Sequence, residues 1–205
     1  MNKGLLVVIS APSGGGKGTI LKEVFAKTEN ARFSVSATTR APRPGEVHGE
    51  HYYFVSREEF ASMIDQGEML EYAQFVGNYY GTPREPVENW MAQGCDVFLD
   101  IEVQGGAQVK RLMPECVSIF ILPPSMQVLG ERLRGRGTED KATVKQRLET
   151  AKNEIPHAKE YDYVVYNDRL EDAVDNIMAI LRAEKLKYIR NTDCTERVLS
   201  DAQTV

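Results

Sequence analysis

Cysteine is scarce and poorly placed for cross-linking. The chain has three, Cys95, Cys116 and Cys194, an odd number at wide spacing. That excludes a disulfide scaffold and a CxxC metal pair, and points to a reducing compartment, so a cytoplasmic protein is expected. Long hydrophobic runs are missing too. The first apolar stretch, "GLLVVIS", ends before Pro12, too short to span a bilayer and without a signal-cleavage pattern, so no membrane association is expected. There is no excess of positive charge. A net charge of −5 argues against nucleic acid as a partner and requires any phosphate ligand to be met by a local cluster of Arg and Lys. His48 and His51 lie in a turn-rich stretch with no second ligand pair nearby, so no metal site is assigned to them. Internal repeats and low-complexity tracts are absent.

What is present suits a buried core. A chain of 205 residues with 42% hydrophobic content can bury most of its apolar surface in one large domain. Residues 4–10 form a continuous apolar run rich in β-branched residues, as in a strand covered on both faces. "KGTILKEVFAK" then places Ile20, Leu21, Val24 and Phe25 at helical spacing. "DVFLDI" and "CVSIFIL" have the same buried-strand character, and each precedes a helical pattern. "YDYVVYN" precedes a last amphipathic helix at roughly residues 169–189. Strands alternating with helices predict an α/β fold with a parallel sheet flanked by helices.

Between residues 35 and 83 the rhythm changes to short aromatic segments, "HYYFVS", "EMLEYAQFV" and "NYYGT", with a helix "REEFASMIDQG" among them. This predicts a small mixed α+β insertion, leaving residues 1–34 and 84–190 as the core. Residues 134–143, "RGRGTEDKAT", read as a charged lid loop, and residues 191–205 as a loosely tethered tail.

The turn after the first strand, "APSGGGKGT", has the character of a phosphate loop. Such a loop needs backbone N–H groups converging on an anion at a helix N-terminus. Gly14, Gly15 and Gly16 allow the bend, and Lys17 can reach the β- and γ-phosphates; Ala11, Pro12, Ser13, Gly18 and Thr19 complete it. The usual pattern has Gly at the position of Ala11 and a hydroxyl residue at that of Gly18. Without that hydroxyl, Mg²⁺ carried with ATP has two routes left: Thr19, or its own waters and the phosphates.

A second anion site is signalled by "SVSATTRAPRPGE", with Ser36 followed by Arg40 and Arg43. Tyr52 in "HYYF" and Tyr80 in "NYYGT" add hydroxyl donors. On these residues alone, a phosphate clamp and a solvated basic turn both stand.

Taken together, "FSVSATTRAPRPGE", "YYFVS", "EYAQFVGNYYGT", "LDIEVQGG", "ILPPS", "RLRGRGTE" and "VVYND" closely resemble the guanylate kinase family, from about Leu5 to Leu181. The resemblance implies a P-loop nucleoside-monophosphate kinase that passes a phosphoryl group from ATP to GMP, with Mg²⁺. It further implies that Arg40, Arg43, Tyr52 and Tyr80 hold the GMP phosphate. Glu71 would accept from guanine N1–H and the amine, and Ser36 and Thr82 would approach O6. Asp100 would lie near the amine and the metal-phosphate region, with Glu102 beside it. Arg132, Arg136 and Arg147 would close over the transferring group with Lys17, and Asn167 would lie near the ATP base. The "GKGT" ending instead resembles adenylate kinases, but a carboxylate at Glu71 would face the lone pair on adenine N1 and reject it. A scaffold-type relative that only binds peptides is expected to have lost the loop lysine, and Lys17 is present. The sequence assigns no oligomeric state.

Overall fold

The computed structural model describes residues 3–135 and 140–201. Strand β1 (Leu6–Ser10) is buried along its whole length because it lies mid-sheet, with a parallel neighbour on each edge. Helix α1 (Lys17–Ala26) follows the glycine-rich turn, then β2 (Ala31–Phe33) and β3 (Ala37–Thr38). Next come β4 (Tyr53–Phe54), α2 (Arg57–Asp65), β5 (Met69–Phe75), β6 (Asn78–Pro83) and α3 (Arg84–Ala92). The chain continues through β7 (Asp96–Asp100), α4 (Val103–Leu112), β8 (Val117–Leu122), α5 (Met126–Gly135) and α6 (Lys141–Glu154). It closes with β9 (Tyr163–Tyr166), α7 (Leu170–Leu186) and α8 (Cys194–Asp201).

Five parallel strands form the main sheet in the order β2-β7-β1-β8-β9. Alternation along β1 feeds two cores. Val7 and Ile9 face one side, where Ile20, Leu21 and Val24 of α1 meet Val174, Ile177 and Leu181 of α7. Leu6 and Val8 face the other, against Val87 and Met91 of α3 and Val109 of α4. A strand covered on both faces must be apolar at odd and even positions alike, which is why its sequence is a continuous run. The far end of α7 is tied to the sheet through Asp96, which accepts the Leu5 amide at 3.0 Å and pairs with Lys185 at 2.6 Å.

Residues 37–83 carry a second, four-stranded sheet in the order β4-β3-β6-β5. Strands β5 and β6 form a hairpin across the two-residue turn Val76–Gly77, and both turn residues have positive φ, 45° and 77°. Helix α2 covers this sheet through Phe60. It starts at a reciprocal cap in which Ser56 accepts the Glu59 amide and Glu59 accepts the Ser56 amide.

The carboxyl end differs from the expectation. Helix α7 stops at Leu186, and residues 194–201 form α8 where a loose tail was expected. Asn191 accounts for the break, since its amide donates to the Lys185 and Lys187 carbonyls at 2.7 and 3.0 Å and closes the end of α7. Among the described residues no helix is long and apolar enough to cross a membrane. The three cysteines are free thiols, and burial pushes that of Cys116 up to about 11, which leaves it unreactive.

Candidate active site

Residues 11–16 turn from the end of β1 into the first turn of α1. Gly14 and Gly16 have φ of 87° and 91°, a region that penalises any Cβ. Each is also backed by protein. A Cβ on Gly14 would stand 2.7 Å from Leu133, and one on Gly16 would stand 2.2 Å from the Asn167 amide nitrogen. Among the described residues, Val76 is the only non-glycine residue with positive φ, so the methyl group of Ala11 occupies ordinary backbone. Nothing lies within 4 Å of a Cβ built on Gly18, so a hydroxyl residue is absent there for reasons other than space. Thr19 is exposed on the first turn of α1.

The loop encloses a cavity of about 250 Å³ lined by residues 11–18 with Glu102 and Glu154. Lys17 pairs with Asp100 at the end of β7. Glu154, at the last position of α6, lines this cavity beside Ser13, and its Oε2 is buried with no hydrogen-bond partner among the described residues. Burial, with Glu102 adding to it, holds the Glu154 carboxyl above its ordinary pKa. Arg147, from the middle of α6, donates to Ser13 Oγ at 3.0 Å. Arg132 donates from one terminal nitrogen to the Asn167 carbonyl at 2.8 Å, and the other, Nη1, is buried with no partner among the described residues. Arg136 lies outside the described residues, as does much of the expected lid loop.

A second cavity, about 490 Å³, opens between the two sheets. It is lined by Ser36, Tyr52, Glu71, Tyr80, Asp100 and Glu102 among others. Glu71 is 7% exposed, and its carboxylate accepts the Thr82 hydroxyl at 2.6 Å. Desolvation raises its pKa; Thr82 partly offsets this and the charge of Glu102 adds to it. Thr82 has a single hydroxyl proton, so while it donates to Glu71 it has none for a carbonyl such as O6. Ser36 remains in the cavity for that role.

The arginine turn stands beside this cavity. The Arg40 guanidinium lies 5.4 Å from the ring centroid of Tyr52, and Tyr52 meets Tyr80 edge-on. Both terminal nitrogens of Arg40 donate to Glu46 at 2.9 Å, and the Arg43 amide donates to the same carboxylate at 2.7 Å. The Arg40 hydrogen bond, helped by the Arg43 amide, draws the Glu46 pKa down to about 2. The structure therefore brings residues 11–18, Arg132, Arg147 and Asn167 together at the loop. It brings Ser36, Tyr52, Glu71, Tyr80, Thr82 and Asp100 together at the second cavity, with Arg40 and the Arg43 amide beside it. Thr19 is exposed and joins neither group, and Arg136 lies outside the described residues.

Three partners escaped sequence reasoning. Glu46 sits three residues beyond Arg43 and reads as an ordinary turn acid. Glu154 reads as one more helix charge. Gly105 reads as a weak helix residue, yet a Cβ there would stand 2.8 Å from Glu71 Oε2, so this glycine makes room for the carboxylate. Only the glycine pair of "VQGG", set inside a helical pattern, hinted at close packing.

Comparison with known proteins settles the family. The guanylate kinase family profile matches residues 3–184. The chain belongs to the guanylate kinase family. The guanylate kinase of Desulfitobacterium hafniense is 52% identical over 92% of this chain and 94% of its own length. That of Streptococcus pneumoniae R6 is 48% identical over 98% of this chain and 94% of its own. Among solved structures, guanylate kinase from Anaplasma phagocytophilum superposes with a TM-score of 0.70 at 41% identity, covering 92% of this chain and 90% of that one. The P-loop, parallel-sheet architecture expected from the sequence is the fold of this guanylate kinase relative.

Proposed function

We propose that this chain transfers the γ-phosphoryl group of ATP to GMP, yielding ADP and GDP, in cytoplasmic purine nucleotide metabolism. The observation that carries this reading is the position of Glu102, which lines both cavities, so a guanine-sized pocket and a phosphate loop meet at one wall. In this reading residues 35–83 are the GMP-binding insertion, residues 1–34 and 84–190 the nucleotide core, 134–143 the lid and 191–205 the tail.

Phosphoryl transfer asks the protein mainly for alignment and for positive charge around the equatorial oxygens. Lys17 supplies one such charge once a phosphate competes with Asp100 for it. Arg132 Nη1, already desolvated and lacking an acceptor among the described residues, supplies a second, and Arg147, on the Ser13 side of the loop, a third. The GMP phosphate is largely dianionic near neutral pH, so its oxygen needs no general base to attack. Arg40, Arg43, Tyr52 and Tyr80 would hold that phosphate, with Arg40 exchanging Glu46 for it. Glu71 would accept the two guanine donors, with Thr82 orienting its carboxylate.

The residues around the loop fit a magnesium ion that arrives on ATP and keeps most of its waters. Among the described residues no cluster of three or more His, Cys, Asp or Glu is arranged as a cage, and Gly18 provides no hydroxyl. Asp100 and Glu102 would accept from the waters of the ion. When bound, magnesium neutralises charge on the phosphate oxygens.

A coupled assay over AMP, GMP, CMP and UMP with MgATP tests the reading. GMP should be turned over at least a hundredfold more efficiently than AMP, as expected where a mismatched base leaves a buried carboxylate unpaired. GMP binding without turnover would replace the kinase with a binding module.

A further inference from the structure

Asn167 is buried immediately after β9, and its own amide is anchored to the Leu122 carbonyl at 2.7 Å. Its side-chain nitrogen donates to the Gly15 carbonyl of the phosphate loop at 2.7 Å, across 152 residues of sequence. The partner is a carbonyl, which can only accept, so the NH₂ end of the side chain must face the loop. In a trans peptide the carbonyl and the following N–H point in opposite directions. Holding the Gly15 carbonyl outward therefore aims the Gly16 N–H into the concavity where an anion would sit. A loop of three glycines has little intrinsic preference for that orientation, and a rotated peptide would present a carbonyl oxygen to the phosphates.

We infer that Asn167 is a positioning residue for the phosphates, acting through the Gly15–Gly16 peptide. Two further contacts are consistent with a built clamp. The methylene of Gly16 packs so closely on Asn167 that no side chain fits between them. The Asn167 main-chain carbonyl in turn accepts from Arg132, so one residue sets the loop peptide and the arginine whose Nη1, near Gly16, has no partner among the described residues. The inference rests on the reading of residues 11–19 as the phosphate site of the donor nucleotide.

The test is calorimetric titration of wild type, Asn167→Ala and Asn167→Asp with ADP and inorganic tripolyphosphate, each with Mg²⁺, and with GMP alone as the control. Asn167→Ala should weaken both phosphate ligands by a similar factor, roughly tenfold, the usual scale for a lost buried hydrogen bond. Asn167→Asp should weaken them more, since a carboxylate would repel the Gly15 carbonyl and the ligand alike. GMP affinity should stay within about twofold of wild type in each variant. Should Asn167→Asp fail to fold, Asn167→Ser, too short to reach the loop, takes its place with the same expectation. Loss confined to ADP, with tripolyphosphate unaffected, would show that Asn167 reads the base and overturn the inference. Equal losses for GMP would make it a general structural residue, also overturning it. Wild type that binds neither ADP nor tripolyphosphate would instead remove the phosphate-site reading beneath it.

Discussion

Glu71 concentrates the selectivity of the proposed guanine pocket in one ionisable group. Its burial disfavours the charge that two guanine N–H donors require, so protonation should compete with GMP. The acid limb of kcat/KM for GMP is expected above the ordinary carboxylate range, because that ratio reports the free enzyme. The limb of kcat itself should lie lower, since bound guanine favours the ionised form. Glu71→Gln should remove the limb and lower kcat/KM for GMP by roughly a hundredfold, the scale of a lost charge-assisted pair. An unchanged GMP preference in the variant would take Glu71 out of base recognition. The same shift has a stability consequence. A carboxyl with a raised folded pKa binds more protons folded than unfolded, so its contribution is present at acid pH and is lost as pH rises through the folded value. Glu71→Gln, a permanent mimic of the neutral form, should therefore melt above wild type at neutral pH, with the gap narrowing in acid. Thermal melts across pH, without ligand, check this.

At the scale of elements, the β5–β6 hairpin contains a local conflict. A two-residue turn with positive φ at both positions suits Asn-Gly, yet the first position is Val76, whose branched Cβ is strained there. Val76 is 81% exposed and contributes little packing that would offset the strain. Val76→Asn should stabilise the protein by about 1 kcal/mol, or roughly 2–4 °C in the melting midpoint for a chain of this size. A midpoint that stays put or falls would mean the hairpin carries no such strain. Most other elements were legible because their signals are local. The buried run of β1 and the apolar spacing of α1 could be read directly. Strand β2, three residues long with Arg32 and Phe33 exposed, gave no periodic signal, since it lies at the sheet edge and its place is set by pairing with β7. Helix α8, expected as tail, has a short apolar face whose Val198 and Leu199 stay exposed, so no packing against the core specifies it.

At the scale of the whole molecule, the proposed guanine cavity and the loop cavity are separate spaces that adjoin at Glu102. Transfer between two bound nucleotides needs one water-poor site in which the acceptor oxygen meets the γ-phosphorus in line. The insertion and the lid should therefore move toward the loop when both ligands are present. Small-angle scattering should give a smaller radius of gyration with GMP plus a non-hydrolysable ATP analogue than for the free protein. A profile unchanged at saturating ligand would count against closure.

The sequence by itself determined the family, the parallel α/β core and which side chains are available for chemistry, because strand runs, helix spacing and the glycine loop are written within a few consecutive residues. The tertiary structure decided what those side chains are bonded to. It set Thr82 on Glu71, Asn167 on Gly15, Arg40 on Glu46, and Gly105 against the Glu71 carboxylate. The Arg40–Glu46 pair spans only six residues, yet choosing it over other acids required the turn's geometry. The others join segments 11 to 152 residues apart, whose meeting depends on strand order and sheet packing. A hydrogen bond is decided by tenths of an ångström between such segments, and no local propensity carries information at that distance.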